Sequence, residues 1–206
     1  MNPKFSTKEI KQSFKELKNY KNVITIFGSA RIKADSKAYK KITKLSFILG
    51  KSHYSIMSGG GPGLMEAANK GLIEAKKKMG NKKIHSIGLN IQLPFEQNMN
   101  PYVEIPLIFE NFFSRKLVFA YNSTAFIVAP GGFGTLDELF EVLVLIATKK
   151  HPKIPIILYD KKFWKDLLSW FKNELLKQGL INQNDLDLIL LANKPKEVLE
   201  ILRLKK

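Results

Sequence analysis

The chain of 206 residues contains no cysteine. Disulfides, thiolate-bound zinc, iron–sulfur clusters and a cysteine nucleophile are therefore excluded from its chemistry. We also expect no signal peptide, because residues 1–22 hold no apolar stretch of the length that one needs. The longest strongly apolar run, residues 139–147, is broken by Glu141 and is too short to span a bilayer. We therefore expect a cytoplasmic protein with no membrane segment.

Arginine is scarce, although the chain is strongly basic. Lysine and arginine total 34 against 18 aspartates and glutamates, a formal net charge of +16, and only Arg31, Arg115 and Arg203 are arginines. Such a charge suits nucleic acid, an acidic membrane surface or small anions as partners, or else a lysine-rich solvated surface. We favour the solvated surface, because proteins that read bases and phosphates generally rely on the planar fork of arginine. Nucleic acid is therefore not the expected partner.

Several motifs of common enzymes are absent. The three histidines, His53, His85 and His151, show neither HExxH nor a paired His–carboxylate spacing, so we expect no metal site. Neither the Walker A pattern nor a GxSxG elbow occurs. In SGGGPG, Leu64 stands where a dinucleotide fingerprint needs its third glycine. ATP hydrolysis and standard dinucleotide oxidoreduction are therefore disfavoured.

Short apolar runs alternate with helix-like segments along the chain. Strands are predicted at 23–28, 54–58, 84–91, 103–109, 124–130 and 154–159, and two short helical stretches are predicted to close the chain. Continuous apolar strands between helices are typical of a parallel sheet covered on both faces. We therefore predict an α/β fold, a single doubly wound, Rossmann-like parallel sheet with helices on both faces. Pro106 indicates an edge or irregular position for the fourth strand.

The chain shows no internal repeat, low-complexity linker or break in composition. We therefore expect a single domain over residues 1–206. Residues 1–21 are predicted to form an N-terminal amphipathic helical extension, since Ile10, Phe14 and Leu17 share one helix face and lysines fill the other.

Three glycine-containing segments follow predicted strands: GSAR at 28–31, SGGGPG at 58–63 and PGGFGT at 130–135. In an open parallel sheet, ligands bind beyond the carboxyl ends of the strands. Glycine lets backbone approach a ligand closely, and free N–H groups at a helix start form an anion site. Together the three segments predict a phosphorylated ligand, to which the Thr135 hydroxyl could add a donor.

Two charged residues stand near these segments. Glu138 lies three residues after Thr135, so both share a helix face and Glu138 is expected to point at the ligand. Alternatively, Glu138 only stabilises the positive N-terminus of its helix. Arg115 could supply bidentate recognition of an anion, or it could form a surface salt bridge. The spacing alone leaves these alternatives open.

The order and spacing of the motifs resemble those of the LOG family, the cytokinin riboside 5'-monophosphate phosphoribohydrolases. The family signature PGGxGTxxE is matched at 130–138, the family's RK pair at Arg115 and Lys116, and its first glycine loop at GSAR. The resemblance covers residues 23–180. It implies hydrolysis of the N-glycosidic bond of a nucleoside 5'-monophosphate to a free base and ribose 5-phosphate, with no metal or organic cofactor.

The resemblance also implies a set of site residues. Arg115 and Glu138 correspond to the catalytic pair. The residues expected to bind substrate are Gly28, Ser29, Gly60, Gly61, Glu66, Lys116, Gly131, Gly132, Gly134 and Thr135. A carboxylate such as Glu138 could stabilise the ribosyl cation, orient a ribose hydroxyl or activate water. Glu66 stands where many plant relatives carry glycine, so AMP or a related purine nucleotide is a safer expectation than a cytokinin nucleotide.

An older label of the family, lysine decarboxylase, has no support in the sequence. Such enzymes need a lysine that forms a Schiff base with pyridoxal phosphate in a much larger chain, and no motif designates one.

A homodimer is expected from the resemblance and from residues 139–147, which are apolar nearly all round, as in a helix buried by core and partner. Burial in the core alone is the alternative.

The alternative function is a non-catalytic protein that binds a nucleotide, a phosphorylated cofactor or single-stranded nucleic acid. The intact pair of Arg115 and Glu138 favours the enzyme, because a binding protein would not need it.

Overall fold

The computed structural model describes residues 3–81, 83–93 and 98–204. Within these ranges the strands are β1 (Val23–Phe27), β2 (Ser55–Ser58), β3 (Ser86–Ile91), β4 (Ile105–Phe109), β5 (Ala125–Val128), β6 (Ile156–Tyr159) and β7 (Ile189–Ala192). All strand pairs are parallel, and the order across the sheet is β4-β3-β2-β1-β5-β6-β7. The order reverses at β1, whose neighbours are β2 and β5. The predicted doubly wound α/β fold is therefore confirmed.

Helices connect the strands on both sides of the sheet. They are α1 (Pro3–Leu17), α2 (Lys37–Lys51), α3 (Leu64–Met79), α4 (Phe112–Tyr121), α5 (Phe133–Ala147), α6 (Lys161–Trp170), α7 (Gln183–Leu186) and α8 (Pro195–Leu204). A π-helical turn, Phe171–Leu176, continues α6. In the described part of the chain, no helix has the length and apolar character needed to cross a membrane.

Two hydrophobic cores lie on opposite faces of the sheet. The central strand β1 supplies both, with Ile24 and Ile26 in one core and Val23 and Phe27 in the other. Successive side chains of a strand point to opposite faces, so a strand covered on both sides must be apolar throughout. Helices α2, α3 and α8 cover the first core, and α1, α4, α5 and α6 cover the second.

One edge strand of the sheet was predicted from the sequence, and the other was not. Strand β4 is an edge strand, as Pro106 indicated. At the other edge, α7 and α8 match the two predicted helical stretches, but the strand β7 between them was not predicted. This strand has four residues, only one of them β-branched, and it pairs with β6 alone. Part of the loop expected after β3, residues 94–97, lies outside the described residues.

The N-terminal helix α1 packs against α4. The Glu9 carboxylate accepts hydrogen bonds at 2.6 Å from the Glu110 N–H and from the Ser114 hydroxyl. A carboxylate at this end of α4 is favourable, because the N-terminus of a helix is its positive end. We propose on this basis that the chain of residues 1–206 forms one domain, and that the extension predicted at residues 1–21 packs onto it through α1.

Candidate active site

The three glycine-containing segments meet where the strand order reverses, between β1 and β5. Ser29 joins them: its N–H donates to the Pro130 carbonyl at 3.1 Å, and its own carbonyl accepts from the Leu64 N–H at 2.9 Å. In doubly wound sheets this is the position of the ligand crevice.

A cleft of about 580 Å³ opens at this junction. Seven of the predicted site residues line it: Gly28, Ser29, Arg115, Gly132, Gly134, Thr135 and Glu138. The cleft is thus built from the end of β1, the start of α5 and one side of α4.

The loop between β5 and α5 has a face open to the cleft. A Cβ at position 131 would collide with the Thr135 side chain, which folds over Gly131. A Cβ at Gly132 or Gly134 would meet no protein atom within 4 Å. The N-cap residue of α5 is Gly132, which has no side chain to accept hydrogen bonds from the first N–H groups of the helix. An uncapped helix N-terminus with open backbone beside it is suited to bind an anion.

Arg115 and Glu138 form a buried ion pair beside this loop. The Arg115 Nη2 donates to Glu138 Oε1 at 2.9 Å, and the Arg115 residue is only 8% exposed. The rings of Phe112 and Phe119 lie 5.4 and 5.6 Å from the guanidinium carbon. Among the described residues, nothing accepts a hydrogen bond from the buried Arg115 Nε. A surface salt bridge, one alternative from the sequence, does not describe this pair.

Burial shapes the electrostatics of the pair. Burial raises the pKa of Glu138 to about 7, Arg115 opposes this rise, and Asp137 adds to it. Burial also lowers the pKa of Arg115, whereas Glu138 and Asp137 raise it. A guanidinium group in a protein stays protonated at neutral pH, so Arg115 keeps its charge. Glu138 is therefore the group of the pair that titrates near neutrality.

Gly60 and Gly61 lie in a buried polar network, and neither lines the cleft. Asn100 Nδ2 donates to both of their carbonyls at 3.0 Å and to Asn69 Oδ1 at 3.0 Å. Ser58 Oγ donates to Asn69 Oδ1 at 2.6 Å and accepts from the Gly60 N–H at 3.0 Å. The network fixes the segment 58–61. Sequence reasoning missed both asparagines, although Asn69 lies on the apolar face of α3 and could have indicated a buried polar contact.

We expect Asn69→Leu to lower the free energy of unfolding by about 2–4 kcal/mol, because buried polar groups lose their partners. The groups affected are Ser58 Oγ, Ser86 Oγ and Asn100 Nδ2. Urea unfolding measures the change, and Asn98→Leu, at an exposed position two residues before Asn100, is the control. Equal stability of the two variants would show that the network does not hold the segment.

Glu66 and Lys116 are also engaged outside the cleft. Glu66 Oε1 accepts from the Tyr39 hydroxyl at 2.6 Å. Lys116 Nζ lies 3.0 Å from Asp137 Oδ1 and 3.2 Å from Glu141 Oε2. The structure does not bring these two side chains to the cleft, and their binding roles stay predictions.

Several cleft residues were not singled out by the sequence analysis: Ala30, Arg31, Met65, Ile91, Leu93, Phe112, Phe133 and Leu136. Phe133 is 91% exposed, although it is a large apolar side chain. Its place inside the glycine segment PGGFGT was the available signal, as the rarity of arginine was for Arg31. In the described residues, no three His, Cys, Asp or Glu side chains are grouped so that they could hold a metal ion.

A family model described as "Possible lysine decarboxylase" matches residues 65–202. The chain is 31% identical over 145 residues to a probable cytokinin riboside 5'-monophosphate phosphoribohydrolase of rice (Oryza sativa subsp. japonica), an alignment that covers 70% of this chain and 57% of the rice protein. It is 26% identical over 192 residues to a cytokinin riboside 5'-monophosphate phosphoribohydrolase of Arabidopsis thaliana, covering 93% of this chain and 86% of that protein.

Among solved structures, the chain is similar to a molybdenum cofactor binding protein from Rippkaea orientalis. The TM-score is 0.61 at 21% sequence identity, over 89% of this chain and 96% of that one. At this identity the likeness shows a shared fold.

Proposed function

The chain belongs to the LOG family, and from that premise we propose that it is a cytoplasmic hydrolase of nucleoside 5'-monophosphates. It cleaves the N-glycosidic bond and releases a free base and ribose 5-phosphate. The names of its curated relatives support this reaction class. The observation that carries the proposal is the buried pair of Arg115 and Glu138, which lines the same cleft as the uncapped N-terminus of α5.

The 5'-phosphate binds at the start of α5 in this proposal. Gly132 and Gly134 leave the backbone open to it, and the N–H groups of the first turn face an anion favourably. Anchoring the phosphate there fixes the ribose against the neighbouring pair, because both line one cleft. Binding energy from a group that does not react thus serves to position the reacting carbon.

Glu138 then acts on the sugar. Cleavage of the N-glycosidic bond leaves its electron pair on the base and builds positive charge on the ribose, which an ionised carboxylate stabilises. Water adds to the anomeric carbon, and the proton that it gives up balances the one that the departing base takes up to leave as the free base. Arg115 holds the carboxylate in place through Nη2.

The described lining of the cleft favours an aromatic base. Phe112 and Phe133 are both more than half exposed and line the cleft with Arg115. A planar base can stack on such rings. We propose a purine nucleotide such as AMP as substrate, because its two fused rings offer a larger stacking face than a pyrimidine.

The test is to incubate the pure protein with AMP, GMP, CMP and a cytokinin riboside monophosphate, and to follow free base and ribose 5-phosphate by chromatography. We expect release from at least one of the four. Nucleotide binding without any release would instead support the non-catalytic binder. Single-stranded DNA binding that weakens steeply with salt would support the nucleic-acid alternative.

A lysine decarboxylase is not supported by this site. None of the described residues lining the cleft is a lysine, and Lys116 is held by Asp137 and Glu141. A Schiff base with pyridoxal phosphate needs a lysine at the reacting centre. We expect no decarboxylation of lysine when pyridoxal phosphate is added.

Gly134→Ala should raise the KM for AMP about tenfold or more, because the new methyl group occupies space that the phosphate needs. It should not lower the melting temperature, since no protein atom lies near the added Cβ and alanine favours a helix over glycine. Gly131→Ala is the contrasting control, which collides with Thr135 and destabilises the fold. If Gly134→Ala has the same KM as the native protein, the phosphate does not bind at this position.

We also propose a homodimer formed through the outer face of α5. Leu139, Val142 and Ile146 of this helix are buried in the core, whereas Phe140 and Val144 are exposed. A helix that is apolar on both faces is suited to a second partner. Light scattering after gel filtration measures the mass, and Val144→Glu should shift it toward the monomer.

A further inference from the structure

Arg31 is the second arginine of the cleft, and it differs from Arg115 in its surroundings. It is exposed, and within residues 3–81, 83–93 and 98–204 no carboxylate forms an ion pair with it, whereas Arg115 is buried against Glu138. An exposed arginine at a cleft keeps all its donors available for a ligand. Nothing in the proposed reaction has yet used this side chain.

The backbone around Arg31 is held in place. The Arg31 N–H donates to Ser29 Oγ at 3.1 Å, a local turn closed by a serine side chain. Ser29 is itself hydrogen bonded to Pro130 and Leu64, so this turn is tied to the other two glycine segments. On the other side, Ile32 packs against the first hydrophobic core. The base of the arginine is therefore fixed relative to the loop at the start of α5, and only the side chain has freedom to move.

The positive charge of Arg31 is not balanced by another charge of the cleft. The described charged residues that line it are Arg31, Arg115 and Glu138, and the last two neutralise each other. The uncapped α5 N-terminus adds further positive potential. A neutral nucleoside gains nothing from this surplus, whereas a phosphate dianion does, and the guanidinium fork matches phosphate oxygens.

We propose that Arg31 is a specificity-determining residue that binds the 5'-phosphate and makes the site prefer nucleotides over nucleosides. This inference rests on the proposed function, because it names the part of that substrate which Arg31 recognises. Backbone N–H groups of α5 hold one side of the phosphate, and Arg31 closes over the other side.

The test measures binding of ribose 5-phosphate and of ribose by calorimetry, so that it does not depend on turnover. Arg31→Ala should weaken ribose 5-phosphate binding about 10- to 100-fold, the loss expected for charge-assisted hydrogen bonds. Ribose binding should not change. Arg31→Lys should recover part of the lost affinity. Arg203 is an exposed arginine outside the cleft, and Arg203→Ala should lose no affinity.

Kinetics separate this inference from the proposed function. In Arg31→Ala, the KM for AMP should rise while kcat stays within a few-fold, and the preference for AMP over adenosine should shrink. Unchanged ribose 5-phosphate affinity in Arg31→Ala overturns the role of Arg31, even if the native protein releases base. If the native protein releases no base but Arg31→Ala still loses affinity for ribose 5-phosphate, the proposed reaction is wrong and the proposed phosphate contact is supported.

Discussion

Glu138→Gln should slow base release by about 10²- to 10⁴-fold while nucleotide binding stays within a few-fold of the native value. The amide has nearly the shape of the carboxylate and can still accept a hydrogen bond from Arg115. It carries no negative charge, so it cannot stabilise a ribosyl cation or take a proton from water. The loss therefore falls on kcat, and single-turnover measurements with AMP separate it from binding.

The pH profile offers a second measure of the same residue. Because burial raises the pKa of Glu138 to about 7, the native enzyme should lose kcat/KM as the pH falls below 7, about tenfold per unit. This acidic limb should be absent from the residual activity of Glu138→Gln. A native profile that is flat between pH 5.5 and 8 would exclude a catalytic role for ionised Glu138.

Glu141→Gln is the matched control for this prediction. Glu141 lies on the same helix and pairs with Lys116, and it does not line the cleft. Its amide variant should keep near-native kcat and KM. Equal losses in both variants would mean that charge on α5 in general, rather than Glu138 itself, supports the reaction.

The fold follows from local patterns, and the site only in part. Apolar strands between helices predict a parallel sheet covered on both faces, because a strand that is apolar throughout must be buried on both sides. The edge strand β7 was not predicted, since a short, half-exposed strand does not form a continuous apolar run. Helical spacing places Thr135 and Glu138 on one face, but the contact of Glu138 with Arg115 joins residues of two helices and was implied only by family resemblance. Neither Asn100 beneath Gly60 nor Tyr39 on Glu66 could be predicted, because these contacts depend on packing between distant segments.

Arg115→Met should lower the free energy of unfolding by about 3–5 kcal/mol at pH 8, since it leaves the Glu138 carboxylate buried without its partner. Glu138 has a raised pKa in the folded state, so its protonated form is favoured there. The stability it contributes is present at low pH and is lost as the pH rises through the folded-state pKa. The cost of Arg115→Met should therefore shrink toward pH 5, where Glu138 takes up a proton. Urea unfolding at both pH values measures this.

Lys116→Met controls for charge removal from α4. Lys116 is less buried than Arg115 and its partner Asp137 is half exposed, so the variant should cost less than about 1 kcal/mol at either pH. An Arg115→Met variant as stable as Lys116→Met at pH 8 would show that the buried carboxylate is not held by its partner.

The double variant Arg115→Met with Glu138→Leu separates stability from catalysis. Replacing both members of a buried ion pair by apolar side chains of similar volume is often neutral or stabilising, because neither charge is left unpaired. The double variant should therefore unfold within about 1 kcal/mol of the native protein and lose the pH dependence of the single variant. It should also release no base. That result would show that the buried pair serves the substrate rather than the stability of the fold. A double variant as unstable as Arg115→Met would instead show that the pair is a structural element of this fold.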